Sequence, residues 1–192
     1  MFDTPSFPIL LLCLDVFSLC SDAPRVMADE FCSTETGRRC IVVTGRGYAD
    51  VATRLFVKSV TRQLDLRVMG LADCDPFGIE ILSVFAHGSI EESFEAACMA
   101  VPQLEWIGMK VTDGLSAAAT SKLEERDVEK INSLLAREWI TRRPEWRMEL
   151  QRMLAAQTKF EIEALSVSEL RLLSRSFLPQ RLSALLARRT LL

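Results

Sequence analysis

The run Arg67-Val-Met-Gly-Leu-Ala-Asp-Cys-Asp-Pro-Phe-Gly-Ile-Glu-Ile-Leu82 decides the reading of this chain. Val68 to Ala72 is a short apolar segment with the length of a buried strand, and Pro76 and Gly78 follow it as turn residues. Between them stand Asp73 and Asp75. Side chains on an extended chain alternate with a period of two, so both carboxylates project on one side and Cys74 faces away as a small buried residue. Two anions at one strand end repel each other unless a cation sits between them. The pair is therefore a candidate hard-metal site, where Mg²⁺ takes one or two carboxylates and completes its shell with water or phosphate oxygens. Taken alone, D-x-D is a weak signal, because acidic residues often end strands and open turns.

Upstream, residues 39–58 read Arg-Cys-Ile-Val-Val-Thr-Gly-Arg-Gly-Tyr-Ala-Asp-Val-Ala-Thr-Arg-Leu-Phe-Val-Lys. Cys40 to Thr44 has the pattern of a buried parallel strand that runs into Gly45 and Gly47, which allow a tight turn. Asp50 caps a helix over Val51 to Leu64. Its spacing predicts Ala52, Leu55, Phe56 and Val60 inward, with Arg54, Lys58 and Arg62 as an exposed basic stripe joined by Arg46 in the turn. Downstream, Gly78 to Phe85 reads as a short helix, Ile90 to Ala100 as a helical or irregular piece, and Leu104 to Met109 as a strand. Strand and helix alternate, which predicts an α/β fold: an open parallel sheet with helices on both faces. Ligands in such sheets bind off the carboxyl ends of the strands, where Gly45–Gly47 and Asp73–Asp75 both fall. From Ser121 the pattern is helical, over 121–139, 145–165 and 168–177, with Pro144 marking a helix start. Trp139, Trp146, Leu150, Met153 and Leu154 are core candidates.

Bulk properties narrow the function. The 192 residues suit one domain with a sizeable core, and 49% hydrophobic with 26% charged content is ordinary for a folded protein. A net charge of −3 carries no global signature of a nucleic-acid binder, so any DNA contact must come from local patches. One such patch is the stripe after the glycine turn; another is the tail, where Arg171, Arg175, Arg181, Arg188 and Arg189 follow the last acidic residue. Six cysteines without C-x-x-C spacing and a single histidine argue against structural zinc and for reduced intracellular thiols. The apolar run from Phe7 to Cys20 is too short to span a bilayer, and Asp3 replaces the basic start of a signal peptide. No membrane segment is read.

Several runs together resemble the Toprim domain found in the A subunit of topoisomerase VI and in its eukaryotic relative, the meiotic double-strand-break transesterase. They are residues 43–56 (VTGRGYADVATRLF), 73–89 (DCDPFGIEILSVFAHGS), 93–96 (SFEA), 101–108 (VPQLEWIG), 159–165 (KFEIEAL) and 177–182 (FLPQRL), in the family's order and spacing. The resemblance implies a Toprim, Rossmann-like sheet over 38–166, a divergent N-terminal segment over 1–37 that includes a degenerate first strand, and a helical basic tail over 167–192. It implies Mg²⁺, with Mn²⁺ able to replace it, held by Asp73 and Asp75, with Asp73 as the more direct ligand. Arg46, Arg54 and Lys58 are the implied DNA or phosphate contacts, and Gly45 and Gly47 the backbone turn at the site. Ser93 and Glu95 match a family run with no role assigned. The implied partners are double-stranded DNA, a second copy or a paralogue, and an ATPase B-type subunit. The implied location is the nucleus, on chromosomes, if the organism is eukaryotic.

Two departures qualify the resemblance. The family's attacking tyrosine belongs to a winged-helix domain, whereas the single tyrosine here, Tyr48, lies beside the glycine turn. The fold's first strand ordinarily ends in a glutamate; the nearest match, Ile9 to Asp15, puts Cys13 at that position, and cysteine is a poor Mg²⁺ ligand. Asp15 is an alternative at that end. A chain truncated at its start accounts for both losses. No G-x-x-x-x-G-K-[ST] loop is present, so ATP hydrolysis is not expected of this chain. The expected function is Mg²⁺-assisted double-strand cleavage by tyrosine transesterification, with the tyrosine supplied from elsewhere. The alternative is a non-catalytic partner of a full-length paralogue.

Overall fold

The computed structural model describes residues 9–13, 23–44, 48–88, 98–113 and 119–187. Four parallel strands form the main sheet in the order β2-β1-β3-β4: β1 Ile9–Cys13, β2 Cys40–Thr44, β3 Arg67–Leu71 and β4 Glu105–Gly108. The segment read as a degenerate first strand is thus central in the sheet, and every residue of β1 is at most 1% exposed. Its Leu-rich sequence suits a position covered on both faces. β2 is an edge strand and is only half-buried, which corrects the expectation of a buried one. The register sets Cys13 level with Thr44 and Leu71, so three carboxyl ends share one edge.

Helices surround the sheet: α1 Ala23–Cys32, α2 Val51–Leu64 and α3 Pro76–His87. Asp50 caps α2 as expected, its carboxylate accepting the Thr53 N–H at 2.7 Å. The face of α2 is a correction. Arg54, Val57 and Thr61 point inward, while Leu55 and Phe56 are 49% and 51% exposed and Ala52 is also exposed. The inward stripe has the three-and-four spacing of one helix face, so residues one position further round must turn outward. The arginine stem packs inside with that stripe. The basic residues therefore do not form one exposed stripe.

Beyond the sheet the chain is less helical than its sequence suggests. A two-stranded antiparallel ribbon, β5 Thr120–Lys122 with β6 Thr158–Phe160, interrupts the expected helices over 121–139 and 145–165. Between its strands lie α4 Glu125–Leu135, α5 Glu138–Thr141 and α6 Pro144–Ala156, with Pro144 at the first turn of α6 as expected. Trp146, Leu150 and Met153 are fully buried, and Trp139 and Leu154 pack against the core they belong to. The C-terminal part runs as α7 Val167–Leu172, a π-helical stretch Leu173–Phe177, and α8 Leu178–Ala187. No described helix is long and apolar enough to cross a membrane.

Candidate metal site at the carboxyl edge of the sheet

Asp73 and Asp75 follow β3 at the edge where the parallel strands end. Asp75 has extended backbone (φ −138°, ψ 162°) and caps α3, accepting the Gly78 N–H at 2.6 Å. Gly78 is needed there: a Cβ would lie 3.0 Å from both the Asp73 carbonyl and Asp75 Oδ1. Asp73 is 7% exposed, and its Oδ1 accepts the Ile162 N–H at 2.8 Å. Cys74 is buried, as the strand alternation predicted.

A third segment joins the edge, one whose role could not be read from the residues alone. Cys74 and Phe160 exchange both backbone hydrogen bonds, at 3.0 and 3.1 Å, as an isolated antiparallel bridge. In that register Asp75 lies opposite Lys159 and Asp73 opposite Glu161, with the four side chains on one face. Lys159 is 7% exposed, and its ammonium sits 3.1 Å from Asp127 Oδ2 and 3.7 Å from Glu161 Oε1. Asp127 is fully buried and also accepts the Glu124 N–H at 2.9 Å. Burial pushes the Asp75 carboxyl up to about 6; the Gly78 N–H and the charge of Lys159 oppose this, while Asp127 and Glu161 add to it. Burial alone would lower Lys159, but hydrogen bonding and charge from Asp127, with Glu161 and Glu124, hold it above its ordinary value. The signal available in sequence was the K-x-E of residues 159–161, which has the same period of two as D-x-D.

The donor set fits a weakly held hard cation. Two adjacent carboxylates suit Mg²⁺, which keeps several waters and takes further oxygens from phosphate. Among the described residues no group of three or more His, Cys, Asp or Glu is spaced to enclose a metal. Cys13 does not extend the set, because burial, with Cys32 and Cys40 nearby, pushes its thiol up to about 12 and leaves it a neutral soft donor. Asp15 lies outside the described residues.

The remaining expected site residues divide. Gly45, Arg46 and Gly47 lie outside the described residues, as do Ser93 and Glu95. Arg54 is 3% exposed, and Lys58 is half-buried, donating to the Ala100 carbonyl at 2.5 Å. Tyr48 donates its hydroxyl to Glu80, a buried residue of α3 that also binds Lys130 at 2.8 Å and Arg137 at 3.3 Å. Burial would raise Glu80, but hydrogen bonds from Lys130 and Tyr48 and the charges of Lys130 and Arg137 outweigh it and hold the carboxyl low.

A family model for the Toprim domain shared by Spo11 and the topoisomerase 6 protein of its family, the A chain-type component, matches residues 22–182. The chain belongs to that family. Among relatives of this Toprim domain, the meiotic recombination protein SPO11-1 of Arabidopsis thaliana is 39% identical over 163 residues, covering 82% of this chain and 44% of its own. The Mus musculus meiotic recombination protein SPO11 is 37% identical over 162 residues, 82% of this chain and 40% of its own. The A subunit of DNA topoisomerase 6 from Arabidopsis thaliana is 35% identical over 147 residues, 74% and 34% respectively. The chain thus spans less than half the length of these relatives. Toprim domains of this family generally bind a divalent metal.

Proposed function

We propose that this chain is the metal-holding Toprim part of a DNA-cleaving protein, either a type IIB topoisomerase of the A-subunit kind or a meiotic break enzyme. The observation that carries the reading is the Asp73–Asp75 pair at the carboxyl edge of a family-matched Toprim sheet. Asp73 and Asp75 hold the cation, Mg²⁺ or Mn²⁺, which when bound offsets charge on a scissile phosphate. The N–H groups of Ile162 and Gly78 fix the two carboxylates, each holding one oxygen at 2.8 and 2.6 Å, so the edge is set before DNA arrives. Arg46 and Lys58 contact the phosphate backbone near the turn formed by Gly45 and Gly47, and Arg54 braces that turn from inside. The attacking tyrosine is supplied by a winged-helix domain. The substrate is double-stranded DNA, the assembly is a dimer of copies or paralogues with an ATPase B-type subunit, and the location is on nuclear chromosomes.

The test is affinity for duplex DNA, with Mn²⁺ or Mg²⁺ against EDTA, for the wild type and Asp73→Asn. The wild type is expected to gain affinity with the cation and the variant to lose most of that gain. An unchanged cation dependence in the variant sinks the site assignment. A second reading is favoured by Cys13 at the expected glutamate position and by Tyr48 being engaged with Glu80: a non-catalytic partner of a tyrosine-bearing paralogue. Co-purification with such a paralogue, without a covalent 5′ adduct in any mixture, supports it.

A further inference from the structure

We propose that Lys159 is the internal counter-ion of the Asp73–Asp75 edge, oriented by Asp127, and that a divalent cation can take over its charge. The inference rests on the metal reading above and concerns what keeps the edge folded before the metal binds. Four carboxylates converge there, Asp73, Asp75, Asp127 and Glu161, and three of them are largely withdrawn from water. Without compensation such a cluster is costly, because low-dielectric surroundings strengthen repulsion and solvent cannot screen it. The Cys74–Phe160 bridge fixes Lys159 opposite Asp75, and its flanking residues Asp75 and Glu161 are both extended, so the register holds on either side. Asp127 Oδ2 binds Lys159 while its Oδ1 is buried without a hydrogen-bond donor among the described residues. The ammonium cannot swing to solvent without stranding that carboxylate. Lys159 is thus a positioning residue: it faces the ligands of the cation and carries the charge the cation would otherwise bring.

A buried ion pair with only a structural role behaves differently. Replacing both of its members by neutral groups is often neutral or stabilising and leaves the response to added cation unchanged. The experiment measures thermal unfolding of the full chain in EDTA and in millimolar MnCl₂, for wild type, Lys159→Arg, and the double variant Asp127→Asn/Lys159→Met. The double variant removes the pair together, so neither charge is left alone. It is expected to melt lower than wild type in EDTA and to gain at least about twice the wild-type shift from Mn²⁺. Lys159→Arg is expected to track the wild type. Adding Asp73→Asn and Asp75→Asn to the double variant is expected to restore stability in EDTA and abolish the Mn²⁺ gain. If the double variant does not fold in EDTA, folding on Mn²⁺ addition supports the counter-ion role, and failure to fold with Mn²⁺ overturns it. Equal Mn²⁺ gains in wild type and double variant overturn the counter-ion role and leave the metal reading standing. No gain in either overturns both.

Discussion

His87 and Asp75 show how single buried groups respond to pH in opposite directions. His87, the chain's one histidine, stacks on Trp139 at 5.0 Å with an interplanar angle of 21°. Burial, together with the charges of Arg143 and Arg142, pushes it down to about 4. The unfolded chain takes up a proton near pH 6.5 and the folded one does not until about 4, so this group costs stability as pH falls through that window. The loss approaches about 2 kcal/mol once partial screening is allowed for. The single histidine resonance in NMR should titrate near 4, and His87→Phe, which keeps a ring against Trp139, should flatten stability across that window. A midpoint near 6.5 contradicts the burial. Asp75 works the other way: raised to about 6, its ionised form weighs on the metal-free fold above that pH, and the cost disappears below its unfolded value. Asparagine caps a helix as well as aspartate. Asp75→Asn should therefore raise stability in EDTA at about pH 7.5 by about 1 kcal/mol and remove any gain from Mn²⁺, read by urea unfolding. Lower stability in EDTA would show that the charge itself is needed.

At the scale of elements, α2 tests whether local periodicity or tertiary packing chose the buried face. Leu55 and Phe56 make the N-terminal half of the helix look apolar on one side, yet Val57 is the fully buried aliphatic residue. Val57→Ala should cost about 1–2 kcal/mol through lost burial and a cavity. Leu55→Ala, at a half-exposed position, should cost less than about 0.5 kcal/mol. Reversal of that order in denaturant unfolding would restore the face read from sequence. The ribbon β5–β6 has the same origin: its strands are three residues long and embedded among helix-forming neighbours, so pairing partners rather than propensity select the conformation. What was legible there was the motif K-x-E, not its pairing with residue 74.

For the whole molecule, the C-terminal segment is part of the core. Arg171 and Arg175 pair with Glu30 on α1, and Arg181 with Asp113, so these cations meet the chain's own acids. The two arginine side chains at Glu30 are 59% and 62% exposed, so Glu30→Gln should cost less than about 1 kcal/mol. Leu170, Leu173, Leu178 and Leu182 are at most 4% exposed. Removing residues 167–192 strips four leucines, worth roughly 2 kcal/mol each, from the packing around α1. The truncated chain should lose its cooperative thermal transition in circular dichroism. A folded truncation of near wild-type stability would mark the segment as a separate tail.

The parallel sheet, the caps at Asp50 and Asp75 and the shared side of Asp73 and Asp75 were written in the sequence. Each follows from backbone geometry within a few residues: the period of two in a strand, or a side chain reaching the third N–H of a helix. The inward face of α2, the central place of β1 and the approach of Lys159 to Asp75 belong to the tertiary structure. Those features join segments tens of residues apart, and nothing local distinguishes them from the alternatives. Burial and pairing between distant segments decide them, because only in the assembled core do the costs of a stranded charge or an open strand edge come due.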